Sequence, residues 1–158
     1  MRWSRVIGLM VLVVGSAVGA YLGLRTPEGI HATASAQWSP DFGGPAGAID
    51  GDPNSEWQTP NHETGWLEIT IEPPVAMNHL RVLNGHNRQY NDRAIRSATI
   101  EVYNDGELAR SFDPEWTEIN PSPEWIEFDL GLDEVDRIRV VVNAFHSEGA
   151  ALAELQWD

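Results

Sequence analysis

Short runs in which apolar and polar residues alternate, each closed by a turn signal, constrain this chain more than any other feature. Leu67, Ile69 and Ile71 alternate with Glu68 and Thr70; Leu80 and Val82 flank Arg81; Ile100 and Val102 flank Glu101; Ile126, Phe128 and Leu130 flank Glu127 and Asp129. A period of two places the apolar set on one face of a strand and leaves the other face wet. Ile138, Val140 and Val142 continue the pattern, and Leu152 to Trp157 makes a last short strand. Glu72-Pro73-Pro74, Asn104-Asp105-Gly106 and Gly131-Leu132-Asp133-Glu134 read as the turns between them. No stretch beyond the N-terminal region sustains a helical period over three turns. The expectation is an all-β domain over residues 37–158, an eight-stranded antiparallel jelly-roll sandwich.

Strand parity then sorts the connections. If successive strands reverse direction, the three tight turns share one end of the sandwich. The longer loops, Gln58 to Thr64, Gly85 to Arg93, Asp113 to Pro123 and Phe145 to Ala151, share the other. Loops held by a rigid scaffold carry binding residues disproportionately, which makes that end the expected binding face.

Composition narrows the partners. The 158-residue chain has 24 acidic residues against ten basic ones, all arginine, for a formal charge of -14. Such a balance argues against nucleic acid, whose phosphates need a positive face. With no cysteine there is no disulfide framework, thiolate nucleophile or Cys-ligated zinc.

The N-terminus points to export. Arg2 and Arg5 precede an uncharged run from Val6 to Leu24, and Arg25 closes it. As a helix this run is about 28 Å long, close to a bilayer's hydrocarbon thickness. The leading arginines hold the N-terminus in the cytoplasm, so the remainder faces outward. Residues 1–25 therefore read as a transmembrane signal-anchor, with cleavage at Val18-Gly19-Ala20 as the alternative outcome. Residues 26–36 read as a linker.

Within the domain, Ala48-Ile49-Asp50-Gly51-Asp52-Pro53-Asn54-Ser55-Glu56-Trp57 stands out. Two carboxylates at i and i+2 with a hydroxyl three residues on suit either a hard cation or a loop knitted to the core by Asx turns.

The order A-I-D-G-D-x-x-S-x-W, G-W-L-E-I-x-I, L-R-V-L-N-G-H, Y-N-D-R-A-I-R leading into I-E-V, and L-A-E-L-Q resembles the galactose-binding-like β-sandwich of discoidin (coagulation factor type C) domains and many carbohydrate-binding modules. The similarity spans residues 31–158. Within that fold it is most similar to the NADase-type glycan-binding domains. The resemblance implies a structural calcium ion, held by side-chain oxygens of Asp50, Ser55 and Glu154 and by the carbonyls of Gly47, Asp52 and Ala153. It also implies a non-catalytic domain that binds a cell-surface or cell-wall saccharide, with a protein-interaction module on the same face as the rival reading.

Saccharide recognition needs polar groups for hydroxyls and an aromatic surface for the ring's C–H face. His86, Asn87, Asn91, Arg93 and His62 are the expected polar residues, Tyr90 and Trp116 the aromatics. The other reading of Asn91 and Arg93 is that they tie their loop to the sandwich. Trp57 and Trp66 are expected in the core or capping its end. The five histidines show no metal-ligand spacing, and no nucleophile elbow, Cys-His arrangement or phosphate loop is present. Catalysis is not expected.

Overall fold

The computed structural model describes residues 28–85, 90–119 and 124–158. Their order is β1 (Ile30–Ala34), a 3-10 turn (Pro45–Ala48), β2 (Trp57–Gln58), β3 (Trp66–Asn84), β4 (Arg93–Asn104), β5 (Glu107–Phe112), β6 (Trp125–Ser147) and β7 (Ala151–Trp157). Every pairing between named strands is antiparallel, in the order β2-β7-β3-β6-β4-β5 with β1 added to β3.

The two long strands make the sandwich. The first arm of β3 lies between β1 and the second arm of β6, with Leu67 opposite Val140 and Ile69 opposite both Ile138 and Ala32. Its second arm lies between β7 and the first arm of β6, with Val82 opposite both Leu155 and Ile126. Register shifts between Thr70 and His79 mark where β3 bends from one layer to the other. The alternation seen in the sequence fills the space between: Leu67, Ile69, Leu80, Val82, Ile100, Ile138, Val140, Leu152 and Leu155 belong to one buried cluster. Trp57 is fully buried there, and its Nε1 donates to the Ala36 carbonyl at 2.9 Å.

Two expectations change. In place of eight strands there are seven continuous ones among the described residues: Glu72-Pro73-Pro74 and Gly131–Glu134 are bends inside β3 and β6, not turns, while β1 and β2 are strands that the alternation did not mark. A proline lacks the amide a ladder needs, yet extended backbone accommodates it where pairing is interrupted; here the register breaks across that segment. The second change is at the linker. Residues 30–34 of the expected 26–36 tether form β1, paired from Ile30 opposite Ile71 to Ala34 opposite Leu67. The expected signal-anchor lies outside the described residues; among those described, no helix is long and apolar enough to cross a membrane.

Candidate functional site

The Asp50 to Ser55 loop follows the 3-10 turn and meets β7 where the Gly51 amide donates to Glu154. Gly47 sits where a Cβ would come within 2.9 Å of the Glu56 carbonyl oxygen, so this close approach of two backbones requires glycine. Asp50 Oδ1 accepts the Asp52 amide at 2.9 Å, and Asp52 Oδ1 accepts the Asn54 amide at 2.9 Å, two successive Asx turns.

Those turns leave an oxygen-rich centre. Ser55 Oγ lies 2.7 Å from each Asp50 carboxylate oxygen, 2.8 Å from the Asp52 carbonyl and 3.3 Å from the Gly47 carbonyl. One hydroxyl proton serves only one of these acceptors at a time. Across the loop, Glu154 is 1% exposed; its Oε1 accepts the Gly51 amide at 3.3 Å, while Oε2 is buried with no hydrogen-bond partner among the described residues. Burial pushes the Glu154 carboxyl up to about 8, and the charges of Asp50 and Asp52 add to the rise against the opposing Gly51 hydrogen bond. The ladder register jumps from Leu83 opposite Glu154 to Asn84 opposite Leu152, which makes Ala153 the extra residue of a β-bulge.

Carboxylates, a hydroxyl and two carbonyls converging with one proton between them, beside an orphaned buried carboxylate oxygen, fit a hard divalent cation, and calcium accepts this oxygen set. Asp50, Ser55, Gly47 and Asp52 are thus brought together, with Glu154 joined to them through the Gly51 amide, and the Asx turns are present too. A second acidic group, His79, Glu127 and Asp129, lies on the outer surface, with His79 Nδ1 2.9 Å from Asp158 Oδ1; that contact is the main cause of the raised His79 pKa.

At the loop end, backbone hydrogen bonds join segments distant in sequence. The Thr59 amide donates to Ala150, His62 to Glu148, Glu148 to Asp92, Ala94 to Gly149 and Trp116 to Arg96. Arg93 is the centre of this joint. It is 5% exposed, its Nη1 donates to the Thr59 carbonyl at 2.9 Å, and its Nη2 donates to Asn61 Oδ1. Burial lowers its pKa while Asp92, Glu148 and Glu56 oppose the shift. The Arg93 guanidinium therefore holds loops together beneath the surface, in line with the tying role considered for it.

Asn61 Oδ1 also accepts from Trp38 Nε1 at 3.2 Å, and the Arg93 guanidinium lies 5.7 Å from the Trp38 ring. Trp38 is 47% exposed and meets Phe42 edge to face at 5.9 Å, an aromatic surface with a fixed orientation. Tyr90 is 72% exposed. Asn91 adopts φ 42°, and its Oδ1 is buried without a partner among the described residues. His62, at φ 62°, has Nε2 3.7 Å from Glu148. His86 and Asn87 lie outside the described residues.

Trp116 is half-buried against the core and borders a cavity of about 510 Å³ whose wall includes Asn84, Glu115, Glu118, Glu124 and Ile126. His146 Nε2 donates to the Trp116 carbonyl at 2.7 Å and fixes that loop. Sequence reasoning missed Trp38 and the three glutamates. Trp38 had a usable signal, since it stands in Gln37-Trp38-Ser39-Pro40 outside any alternating run.

Residues 31–114 match the family model described as F5/8 type C domain. The chain belongs to the F5/8 type C domain family. Solved structures share its fold. A family 32 carbohydrate-binding module, CpGH89CBM32-5 from Clostridium perfringens, in complex with GalNAc-β-1,3-galactose, superposes with a TM-score of 0.61 at 21% identity, over 82% of this chain and 94% of that one. The family 32 module of C. perfringens NanJ, in complex with galactose, gives 0.63 at 19%, over 81% and 92%. A Streptococcus pneumoniae fucose-binding module gives 0.61 at 17%, over 87% and 92%. A search of curated protein sequences finds no match. For this F5/8 type C domain, these likenesses establish the discoidin-like fold.

Proposed function

We propose that this F5/8 type C domain is a non-catalytic carbohydrate-binding module that recognises a cell-surface or cell-wall saccharide through the loop end of its sandwich. The observation that carries the reading is the meeting there of an exposed, oriented aromatic, Trp38, with the Arg93–Asn61 joint. A sugar ring needs an apolar face and nearby hydrogen-bonding groups, and both are present. The structural neighbours, modules bound to galactose and to GalNAc-β-1,3-galactose, support the same reading. A protein-interaction surface calls for a flat apolar patch; a concave wall with carboxylates favours saccharide.

Calcium would be held by Asp50, Ser55, Glu154 and the carbonyls of Gly47, Asp52 and Ala153. There it would neutralise the converging oxygens and fix the loop against β7, away from ligand. Residues 1–25 would tether the domain outside the cytoplasm or direct its secretion. A glycan array on the full chain, with Trp38→Ala and Tyr90→Ala, tests the function. Saccharide binding that both variants weaken is expected, and no binding above the variants' level removes the glycan reading.

A further inference from the structure

Trp38 lies outside every named strand, yet its ring has one orientation. Its backbone amide donates to the Gln58 carbonyl at 2.9 Å, and Ser39 and Phe42 bridge each other just beyond it. The Phe42 ring meets the indole edge to face, and the Arg93 guanidinium stands over one face of it. These contacts place the residue but do not by themselves fix the turn of a half-exposed ring about its side-chain bonds. A directional bond at the far edge does. Nε1–H, the only donor an indole has, points to Asn61 Oδ1 at 3.2 Å.

Asn61 is itself held firmly enough to serve as an anchor. It sits in a turn that the Glu63 amide closes on the Pro60 carbonyl at 3.3 Å, with His62 at φ 62°. The turn is tied on both sides, Thr59 to Ala150 by two hydrogen bonds and the His62 amide to the Glu148 carbonyl at 2.8 Å. The same Oδ1 accepts a second N–H, from Arg93 Nη2. Two donors facing one atom require the carbonyl oxygen there, because the flipped carboxamide would set its NH2 against both. Arg93 is buried and donates through Nη1 to the Thr59 carbonyl. A continuous chain of hydrogen bonds therefore runs from the buried joint, through Asn61, to the exposed indole.

We infer that Asn61 is the positioning residue of the saccharide platform: its Oδ1 holds the Trp38 ring at the angle in which a sugar's C–H face stacks on it, and passes the rigidity of the Arg93 joint to that ring. The inference rests on the saccharide-binding reading of the loop end and adds a residue that acts through Trp38, not on the ligand. A ring already held loses less freedom when the sugar arrives, which strengthens the complex. The indole N–H is spent within the protein, so Trp38 offers a ligand its face and no hydrogen bond.

The test is the glycan array run as a concentration series, below every melting transition, on the full chain, on Asn61→Ala, Asn61→Asp and Trp38→Ala, and on the Trp38→Ala, Asn61→Ala double variant. Freeing a ring that the complex must then order is expected to weaken each bound glycan about three- to tenfold in Asn61→Ala. Asn61→Asp keeps oxygens that accept both N–H groups and is expected to stay within about twofold of the parent. With Trp38 already removed, Asn61→Ala is expected to cost nothing more. In the ligand-free protein the Trp38 indole N–H resonance, assigned by its absence in Trp38→Ala, should lose its hydrogen-bonded shift in Asn61→Ala and keep it in Asn61→Asp. Undiminished binding by Asn61→Ala overturns the inference, as does an equal loss with and without the Trp38 ring, or an Asp variant as weak as the Ala variant. Any of these, with glycans bound by the parent chain, leaves saccharide binding standing and removes only this inference; a parent chain that binds no glycan removes both.

Discussion

Ser55 Oγ lies 2.7 Å from both carboxylate oxygens of Asp50, and its single proton satisfies only one of them. Glu154 Oε2 is buried nearby with no hydrogen-bond partner among the described residues, so the Asp50 to Ser55 loop and β7 bring together more acceptor oxygens than the Ser55 proton serves. Four consequences can be measured.

Calcium is expected to stabilise the domain. An ion that binds only the folded state at a hundred times its dissociation constant adds about 2.7 kcal/mol, a rise of roughly 5–10 °C in melting temperature for a domain of this size. Chelator should reverse it, and Asp50→Ala or Glu154→Ala should abolish the response. An identical transition with calcium and with chelator rejects a structural ion.

The ion-free protein is expected to lose stability as pH rises. Glu154 titrates at about 8 in the fold against an ordinary 4.5. Between those values the folded state holds a proton that the unfolded state has released, so unfolding free energy falls with pH. The effect is fully developed above the folded pKa and absent below the unfolded one, with an expected size of about 2–4 kcal/mol. Saturating calcium, which needs the carboxylate ionised, should flatten the slope. Melting curves in chelator and in calcium that shift in parallel with pH contradict this.

Arg93→Ala is expected to destabilise by about 2–4 kcal/mol, because it leaves the Thr59 carbonyl and Asn61 without their buried donor. Arg93→Lys should recover only part of the loss, since one ammonium does not reproduce a fork reaching two acceptors. Hydrogen exchange of the Ala94 amide, bonded to Gly149, should quicken in both variants. Unchanged exchange contradicts the tying role.

Trp38→Ala is expected to leave the melting temperature within a few degrees while weakening saccharide binding at least fivefold. The ring is half exposed, so little core contact is lost, whereas stacking on an aromatic face contributes on the order of 1 kcal/mol. Full-strength binding in this variant would show that Trp38 is not part of the surface.

The strands were legible because a half-buried sheet imposes a period of two, and Leu67 to Ile71 or Ile126 to Leu130 obey it. β1 was not, since Ile30-His31-Ala32-Thr33-Ala34 alternates with small alanines and resembles a tether until Ile71 and Leu67 are seen opposite it. Glu72-Pro73-Pro74 carries the chemistry of a turn, yet β3 absorbs it as a bend between layers. At the site, the oxygen set of the Asp50 loop was named through the family resemblance, while the residues alone allowed the Asx turns equally. The loop end offered no such guide. Arg93 has the same residue type whether it faces ligand or lies beneath the surface, and only the positions of Thr59 and Asn61 decide. Glu115, Glu118 and Glu124 were indistinguishable from the general acidity until the fold set them around Trp116.

The most direct test of the central claim is residue-level mapping of saccharide binding by amide and indole shifts in a ¹H–¹⁵N NMR titration. The expected result is that shifts concentrate at Trp38, Asn61, His62, Tyr90 and the Trp116 segment, with Asp50 to Ser55 nearly unmoved once calcium is present. Shifts centred on the Asp105-Gly106 turn, or on the Asp50 loop itself, would contradict recognition through the loop end.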